Sequence, residues 1–219
     1  VPAGPVEADV AVLRSGRTQS HVRADLHAPG AAVGLTATAA FGAPRPGYRF
    51  TGPRPPAVPP PDECPSFRDP PPPEAGWEDD DEGSPLWMTL IEGRAAMGLA
   101  PWDPTPRTVE HSEAAAWYHF DEPPPTDDDG DRVRDPRSVI ALADLMLGGL
   151  NHRIGTAGAP WFGPSVDLTV HLLARPRPGW ILSHSRAHAA GDGYAPVDAN
   201  LWGPGAEPGE LELVAFSTQ

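Results

Sequence analysis

Asp144 is the residue whose surroundings most directly suggest chemistry. It lies between Ala143 and Leu145 in a segment with helical periodicity. A carboxylate among apolar side chains costs free energy unless it is hydrogen-bonded or needed for function, and a carboxylate held there can act as a general base toward water. The alternative is that Asp144 lies on the solvent-facing edge of an amphipathic helix, which is an ordinary position for a polar residue.

Two later residues carry groups that could assist such a base. Ser165 opens a strand-like segment with a hydroxyl, which both donates and accepts hydrogen bonds. Gln219 carries an amide but is the last residue, where a chain often frays. A hydroxyl at a strand start also commonly bonds a nearby backbone group. Asp167 would share the strand face of Ser165, where a solvated carboxylate is equally ordinary.

Histidines offer a rival chemistry. His184 and His188 would share one face of a strand but lie about 13 Å apart, too far to bind one metal ion. His171, on a neighbouring strand, makes a two-ligand site conceivable, but a polar sheet face is the favoured interpretation. The sequence has no Gly-x-Ser-x-Gly motif, and Cys64 lies among prolines without a predicted element around it. Serine and cysteine hydrolase mechanisms therefore lack support.

The composition excludes several classes of protein. The chain of 219 residues has a net charge of −14, and all 16 of its basic residues are arginine. Such a chain would repel nucleic acid and anionic membranes. The single cysteine excludes an internal disulfide and a multi-cysteine zinc site. There is no signal-peptide pattern and no apolar run of about 18 residues, so we expect a cytoplasmic protein.

The elements that would position Asp144 begin with a predicted helix at residues 136–154. Asp135 is the expected N-cap and Pro136 the first helical residue. Strand-like segments follow at residues 164–176, 180–188, 194–202 and 211–218. Ala190-Gly-Asp-Gly193 is typical of a hairpin turn between the second and third of them. This order predicts an α+β fold in which an antiparallel meander wraps around one helix.

The first half of the chain predicts strands without a helix. They cover residues 6–13, 19–26 and 32–41, and such a sheet would leave one face uncovered. Residues 42–85 are rich in proline and acidic side chains and predict an extended linker. Residues 86–91 and 114–120 return to strand composition.

Four local patterns, in this order, resemble the acyl-CoA thioesterase II-like family of double-hotdog proteins. They are Ala141-Leu-Ala-Asp144, Pro164-Ser-Val-Asp-Leu-Thr-Val-His171, Ala190-Gly-Asp-Gly-Tyr194 and Leu213-Val-Ala-Phe-Ser-Thr-Gln219. The resemblance is closest over residues 135–219. It implies an incomplete first hotdog at residues 1–41, a linker at 42–85 and a second hotdog at 86–219. The first hotdog's opening strand and helix would precede Val1, and the chain does not begin with Met.

The resemblance also implies a site and a reaction. Family members use an Asp on the helix, a Thr or Ser at the start of the central strand and a Gln on the last strand, which match Asp144, Ser165 and Gln219. Together these residues would activate a water that hydrolyses the thioester of a fatty acyl-CoA, with no covalent enzyme intermediate and no cofactor or metal.

The substrate would bind on both sides of this site. The acyl chain would lie between helix and sheet against Leu142, Met146 and Leu168. The CoA phosphates would need basic partners, for which Arg175 and Arg177 are candidates, although the net charge opposes a strong CoA site.

Two other functions stay open on the same fold, because a fold alone does not determine function. One is a non-catalytic hotdog that acts by acyl binding or by assembly, since exposed strand edges on an incomplete sheet favour pairing with another chain, including a homo-oligomer. The other is a hydratase or dehydratase, which would need an Asp and a His close together. His152 lies too far along the predicted helix from Asp144 to share its face neatly.

Overall fold

A computed structural model describes residues 4–69, 86–98, 110–154 and 163–219 of the chain. The chain divides into two compact units, Val1–Phe50 and Thr51–Gln219. The predicted linker at residues 42–85 thus contributes to both units, and its residues 70–85 lie outside the described ranges.

The first unit is a three-stranded antiparallel sheet. Its strands, in spatial order, are β1 (Glu7–Ser15), β2 (Gln19–His27) and β3 (Leu35–Gly42). The register gathers apolar residues on one face, since Val10 lies opposite Ala24 and Val12 lies opposite Val22. Val10 and Val12 are 66% and 65% exposed. Within this unit an apolar sheet face is therefore open to solvent.

The second unit contains a six-stranded antiparallel sheet. Its strands are β4 (Ile91–Met97), β5 (Glu113–Phe120), β6 (Thr169–Leu172), β7 (Ile181–Ala187), β8 (Val197–Pro204) and β9 (Leu211–Thr218), in the order β4-β5-β7-β8-β9-β6. The prediction of a four-strand meander was wrong for β6, which pairs with β9 at the sheet edge instead of with β7. β6 also covers only four of the residues 164–176 that were predicted as a strand.

The hairpin between β7 and β8 has the predicted turn. Asp192 and Gly193 have φ values of 52° and 82°, and the backbones of Gly191 and Tyr194 bond each other in both directions, at 3.0 and 2.9 Å. Two consecutive positive φ angles are the signature of a type I′ turn, whose twist matches that of a hairpin.

The predicted single helix is two helices, α1 (Ser138–Ala143) and α2 (Gly148–Ile154). The helical hydrogen bonding stops at Asp144, and Leu145 N–H bonds Leu142 O at 3.2 Å in a tighter turn. Helix α1 also begins later than predicted, although Asp135 Oδ1 accepts a bond from Arg137 N–H at 3.0 Å and so still satisfies a backbone donor near the start. Both helices in the described ranges are too short to span a bilayer.

A glycine allows the second helix to lie close to the sheet. A Cβ added to Gly149 would lie 2.5 Å from Ser112 O and 3.0 Å from Ala187 N. Helix α2 therefore starts directly against the backbone of β7, a distance that only a residue without a side chain allows.

Residues 86–91 were also predicted incorrectly as a strand. Leu86–Thr89 is a 3₁₀ turn, and β4 begins at Ile91. The turn directs the Trp87 ring onto Tyr118, with ring centroids 6.2 Å apart and planes at 81°. Edge-to-face packing of this kind is favourable between aromatic rings, and it covers the inner face of β5.

The main core lies between the helices and the inner face of the sheet. On the helical side it contains Val139, Leu142 and Ala143 of α1, Leu150 of α2 and Met146 from the turn between them, all 6% exposed or less. Facing residues of the sheet include Ile181, Val197, Leu201 and Val214. Burial of this amphipathic face, at about 25 cal/mol per Å² of apolar surface, holds the short helices in place.

A second apolar cluster covers the outer face of the sheet. Trp117, Leu182 and Trp202 are its largest buried members. Residues of the predicted linker complete it, because Cys64 is buried there and Trp117 Nε1 donates to Pro59 O at 2.9 Å. Burial raises the pKa of the Cys64 thiol.

We expect Gly149→Ala to destabilise the second unit by roughly 1–3 kcal/mol, because the added methyl meets backbone atoms that cannot move aside. In an ordinary helix the same change would stabilise by roughly 0.5–1 kcal/mol. Urea unfolding measures the difference. Gly148→Ala is the control, since its nearest contacts are side chains at 3.2 and 3.4 Å, and it should cost less. A Gly149→Ala protein as stable as the wild type would contradict this close approach at Gly149.

Candidate active site

Asp144, Ser165 and Gln219 lie together at one end of the six-stranded sheet. Gln219 Nε2 donates to Asp144 Oδ1 at 2.9 Å, and Ser165 Oγ donates to the same oxygen at 3.1 Å. Gln219 Nε2 also donates to Ser165 Oγ. A carboxylate, a hydroxyl and an amide from separate parts of the chain thus form one hydrogen-bonded cluster.

Asp144 reaches this position because α1 ends there. It is the C-cap residue of the helix, and its side chain is exposed at the end of the sheet, while Ala143 and Leu142 just before it are buried. The free-energy cost that a carboxylate would carry inside a continuous apolar helix therefore does not arise. The exposure agrees with the solvent-edge interpretation, and the hydrogen bonds join the residue to both of its predicted partners.

Ser165 and Gln219 are positioned by β6 and β9. Ser165 lies in the unpaired segment that leads into β6 and is exposed. Gln219 follows the last residue of β9, yet its backbone N–H and C=O both bond Val197, each at 2.9 Å. These bonds extend the strand pairing through Gln219, so its backbone is not frayed.

The hydrogen bonds define which atoms of the cluster are donors and which are acceptors. Asp144 Oδ1 accepts both bonds, and within the described ranges nothing donates to Asp144 Oδ2. The amide of Gln219 must present its nitrogen to the carboxylate, because only the nitrogen donates. Asp144 Oδ2 is therefore the oxygen that a water molecule could approach from solvent.

The predicted acyl-chain residues lie in or beside the core. Leu142 and Met146 are 1% and 0% exposed, and Leu168 packs partly buried against the same cluster. The space between helix and sheet is thus filled by the protein's own side chains. An acyl chain would have to displace some of them to lie there.

The predicted phosphate-binding arginines both contact the acidic loop at residues 121–135. Arg175 Nη2 lies 3.4 Å from Asp127, and Arg177 forms an ion pair with Asp131. Arg175 Nε also donates to Val133 O at 3.1 Å. A phosphate would have to compete with these carboxylates for either guanidinium.

A groove of about 400 Å³, which includes space open to solvent, lies where β7 begins. Phe120, Val139, Leu142, Arg177 and Ile181 are among the residues that line it. The cluster of Asp144, Ser165 and Gln219 lies at the other end of the sheet, where β7 ends, because Ala187 pairs with Val197 and Val197 with Gln219. The groove is therefore separate from the hydrogen-bonded cluster.

The histidines do not converge. His184 lies 3.3 Å from Glu113 Oε2, His188 bonds Asp198, and His171 stacks on Phe216. Across the described ranges, no group of three or more His, Cys, Asp or Glu residues is placed to hold a metal ion. His152 Nδ1 lies 2.7 Å from Glu113 O, so this ring is bonded to β5.

The architecture is thus an antiparallel sheet around a divided helix, with a carboxylate, hydroxyl and amide cluster at one end. The model of the acyl-CoA thioesterase C-terminal domain family matches residues 61–219. The chain belongs to this family, as its resemblance predicted. No curated protein matches the chain.

Solved structures show the same fold. A protein of unknown function with a hotdog fold from Alicyclobacillus acidocaldarius has a TM-score of 0.68 at 23% identity, over 97% of this chain and 70% of that one. An acyl-CoA thioesterase II from Mycobacterium marinum has a TM-score of 0.67 at 18% identity, over 100% and 75%. A protein from Novosphingobium aromaticivorans, proposed to be a thioesterase, scores 0.70 at 23% identity, over 98% and 71%. The α+β hotdog fold is therefore confirmed.

The Glu113 contacts predict a pH-dependent contribution to stability. Burial opposes ionisation, but the bond from His184 and the charge of Arg186 outweigh it and lower the pKa of Glu113. A lowered pKa stabilises the fold above the unfolded value of about 4.3, and this contribution is lost as the pH falls through the folded pKa.

Glu113→Gln should therefore lower the free energy of unfolding by roughly 0.5–1 kcal/mol at pH 7, as for other partly exposed ion pairs. The decrease should be smaller at pH 3. Urea midpoints at both pH values test this. Glu207→Gln, in an exposed loop, is the control and should change neither midpoint. An effect of Glu113→Gln that grows on acidification would reverse the sign and contradict the assignment.

Proposed function

We propose that the chain hydrolyses the thioester of an acyl-CoA, giving the free acid and CoA, through a water activated by Asp144. One observation carries the proposal: Ser165 and Gln219 both donate to Asp144 Oδ1, while no described residue donates to Oδ2, which is available to the water. Membership of the acyl-CoA thioesterase C-terminal domain family supports the substrate class.

The reaction follows from the chemistry of these groups. Asp144 takes a proton from the water as the water oxygen bonds the thioester carbonyl carbon. The tetrahedral intermediate then breaks its C–S bond, and the departing thiolate receives the proton from Asp144. The acid and the CoA thiol are the products, so Asp144 returns to its ionised state without a covalent intermediate.

Ser165 and Gln219 would orient both the carboxylate and the water. A hydroxyl can donate to Asp144 while it accepts from a second donor, and Gln219 Nε2 is that donor. Holding the reacting groups in a fixed geometry lowers the entropy cost of the attack. Leu142, Met146 and Leu168 remain the predicted acyl-chain contacts, and Arg175 and Arg177 the predicted phosphate contacts.

The arginines are on the far side of β6 from Ser165, since Ser165 precedes that strand and Arg175 follows it. In an acyl-CoA, the pantetheine arm likewise separates the thioester from the phosphates. In this proposal the reacting carbonyl lies at the cluster. The phosphates bind Arg175 and Arg177 in place of Asp127 and Asp131.

A non-catalytic hotdog is the second candidate, favoured by the exposed apolar face of β1–β3. Val10 and Val12 on that face are about two-thirds exposed, and exposed apolar surface of this kind commonly marks a site of association. Such a protein would bind or assemble without turnover.

The first test is release of CoA thiol from a panel of acyl-CoAs. Asp144→Asn should lower kcat by at least about 100-fold, because the amide cannot accept the proton. Asp192→Asn is the control, since Asp192 lies in the β7–β8 turn with a positive φ that Asn also adopts, and its kcat should be unchanged. Equal turnover by wild type and Asp144→Asn would contradict the mechanism, and a wild type without turnover on any substrate would favour the non-catalytic hotdog.

The second test separates phosphate binding from thioester hydrolysis. Arg177→Gln should raise the KM for an acyl-CoA roughly 3- to 10-fold. The increase should be smaller than for an unpaired arginine, because Arg177 already forms an ion pair with Asp131. The KM for the matching acyl N-acetylcysteamine thioester, which has no phosphates, should not change. Arg134→Gln is the control, since Arg134 pairs with Asp128 of the same loop. An equal rise in KM for both substrates would contradict a role of Arg177 in phosphate binding.

A further inference from the structure

Two buried polar atoms, one in the cluster and one two residues before it on β9, have no hydrogen-bond partner among the described residues. They are Gln219 Oε1 and Ser217 Oγ, and Ser217 is 0% exposed. A buried oxygen without a hydrogen bond costs free energy, so such groups in native proteins usually bond a protein atom or an ordered water. Their proximity to the proposed site makes the choice of partner important.

The register of β9 explains why the neighbouring side chains do not hydrogen-bond the Ser217 hydroxyl. Ser217 pairs with Ala199 on β8 and with Val170 on β6. Both cross-strand neighbours are apolar and offer no side-chain donor or acceptor. Along β9 the next residue on the same face is Gln219, because side chains alternate between faces.

The spacing suits one water molecule. Residues two apart on a strand are about 6.8 Å apart at Cα, and a water with two hydrogen bonds bridges oxygens about 5 Å apart. Such a water donates to Gln219 Oε1 and accepts from the Ser217 hydroxyl, which satisfies both atoms.

We propose that Ser217 is a positioning residue for Gln219, acting through one buried water bound between Ser217 Oγ and Gln219 Oε1. The bridge holds the amide in the orientation that directs Nε2 at Asp144 and Ser165. Its effect on turnover rests on the proposed thioester hydrolysis, whereas the orientation of the amide does not.

Ser217→Ala removes the hydroxyl and has a matched control. Ser183 is also buried, at 3% exposed, faces the same core from β7, and likewise has an unpartnered Oγ among the described residues. Ser183→Ala therefore removes the same group without a neighbouring Gln219. We expect Ser217→Ala to lower kcat about five- to tenfold with KM within about twofold, while Ser183→Ala keeps the wild-type kcat.

The orientation of the amide can be observed directly by NMR. The sequence contains only two glutamines, Gln19 and Gln219, so side-chain ¹⁵N-glutamine labelling gives two amide signals. Gln19 is exposed on β2 and serves as the internal reference. We expect the Gln219 protons to be shifted and slow to exchange in wild type and Ser183→Ala, and to move toward the Gln19 signal in Ser217→Ala.

The outcomes separate this proposal from the proposed function. If the wild type has no thioesterase activity but the Gln219 signal moves in Ser217→Ala and not in Ser183→Ala, the positioning role is supported and the proposed thioester hydrolysis is contradicted. Asp144-dependent hydrolysis with kcat and the Gln219 signal unchanged in Ser217→Ala overturns the positioning role alone. Equal effects of Ser217→Ala and Ser183→Ala also overturn it, because they would show a general cost of removing a buried hydroxyl.

Discussion

The contact of Gly149 with the backbone of β7 is the constraint on which the rest of the second unit depends. A side chain at this position would collide with Ser112 O and Ala187 N, so only a glycine allows this approach. The chain divides into α1 and α2 just before this contact. The division ends α1 at Asp144, which places the carboxylate at the sheet end where Gln219 and Ser165 can reach it.

The parts of the fold set by local chemistry could be predicted from the sequence. β9 was predicted with its observed bounds, because residues 211–218 are rich in apolar strand-forming residues and follow a turn at Pro208 and Gly209. The Asp192-Gly193 turn follows from residue types that adopt positive φ. The family resemblance, which the family match confirms, had already selected Asp144, Ser165 and Gln219, and the structure places these three within hydrogen-bonding distance. Their catalytic role stays a prediction.

The incorrect predictions share a tertiary cause. Just after the break between α1 and α2, Gly149 lies against the backbone of β7, a tertiary contact that helical periodicity does not reveal. The pairing of β6 with β9 reflects the order of strands in the sheet, and adjacency in sequence suggested a different neighbour. Leu86–Thr89 has strand composition but turns so that Trp87 packs on Tyr118. Ser217 was missed because a serine on a strand gives no sign of lying beside an amide.

The location of Ser165 outside any strand has an evolutionary consequence. Asp144 is fixed by a helix end and Gln219 by backbone bonds to Val197, so insertions near either would disturb the core. Ser165 lies on an unpaired lead-in to a short edge strand, where chain length can change without breaking a ladder of hydrogen bonds. Among descendants of this chain, the hydroxyl should therefore be the member of the cluster that drifts in position or is replaced first.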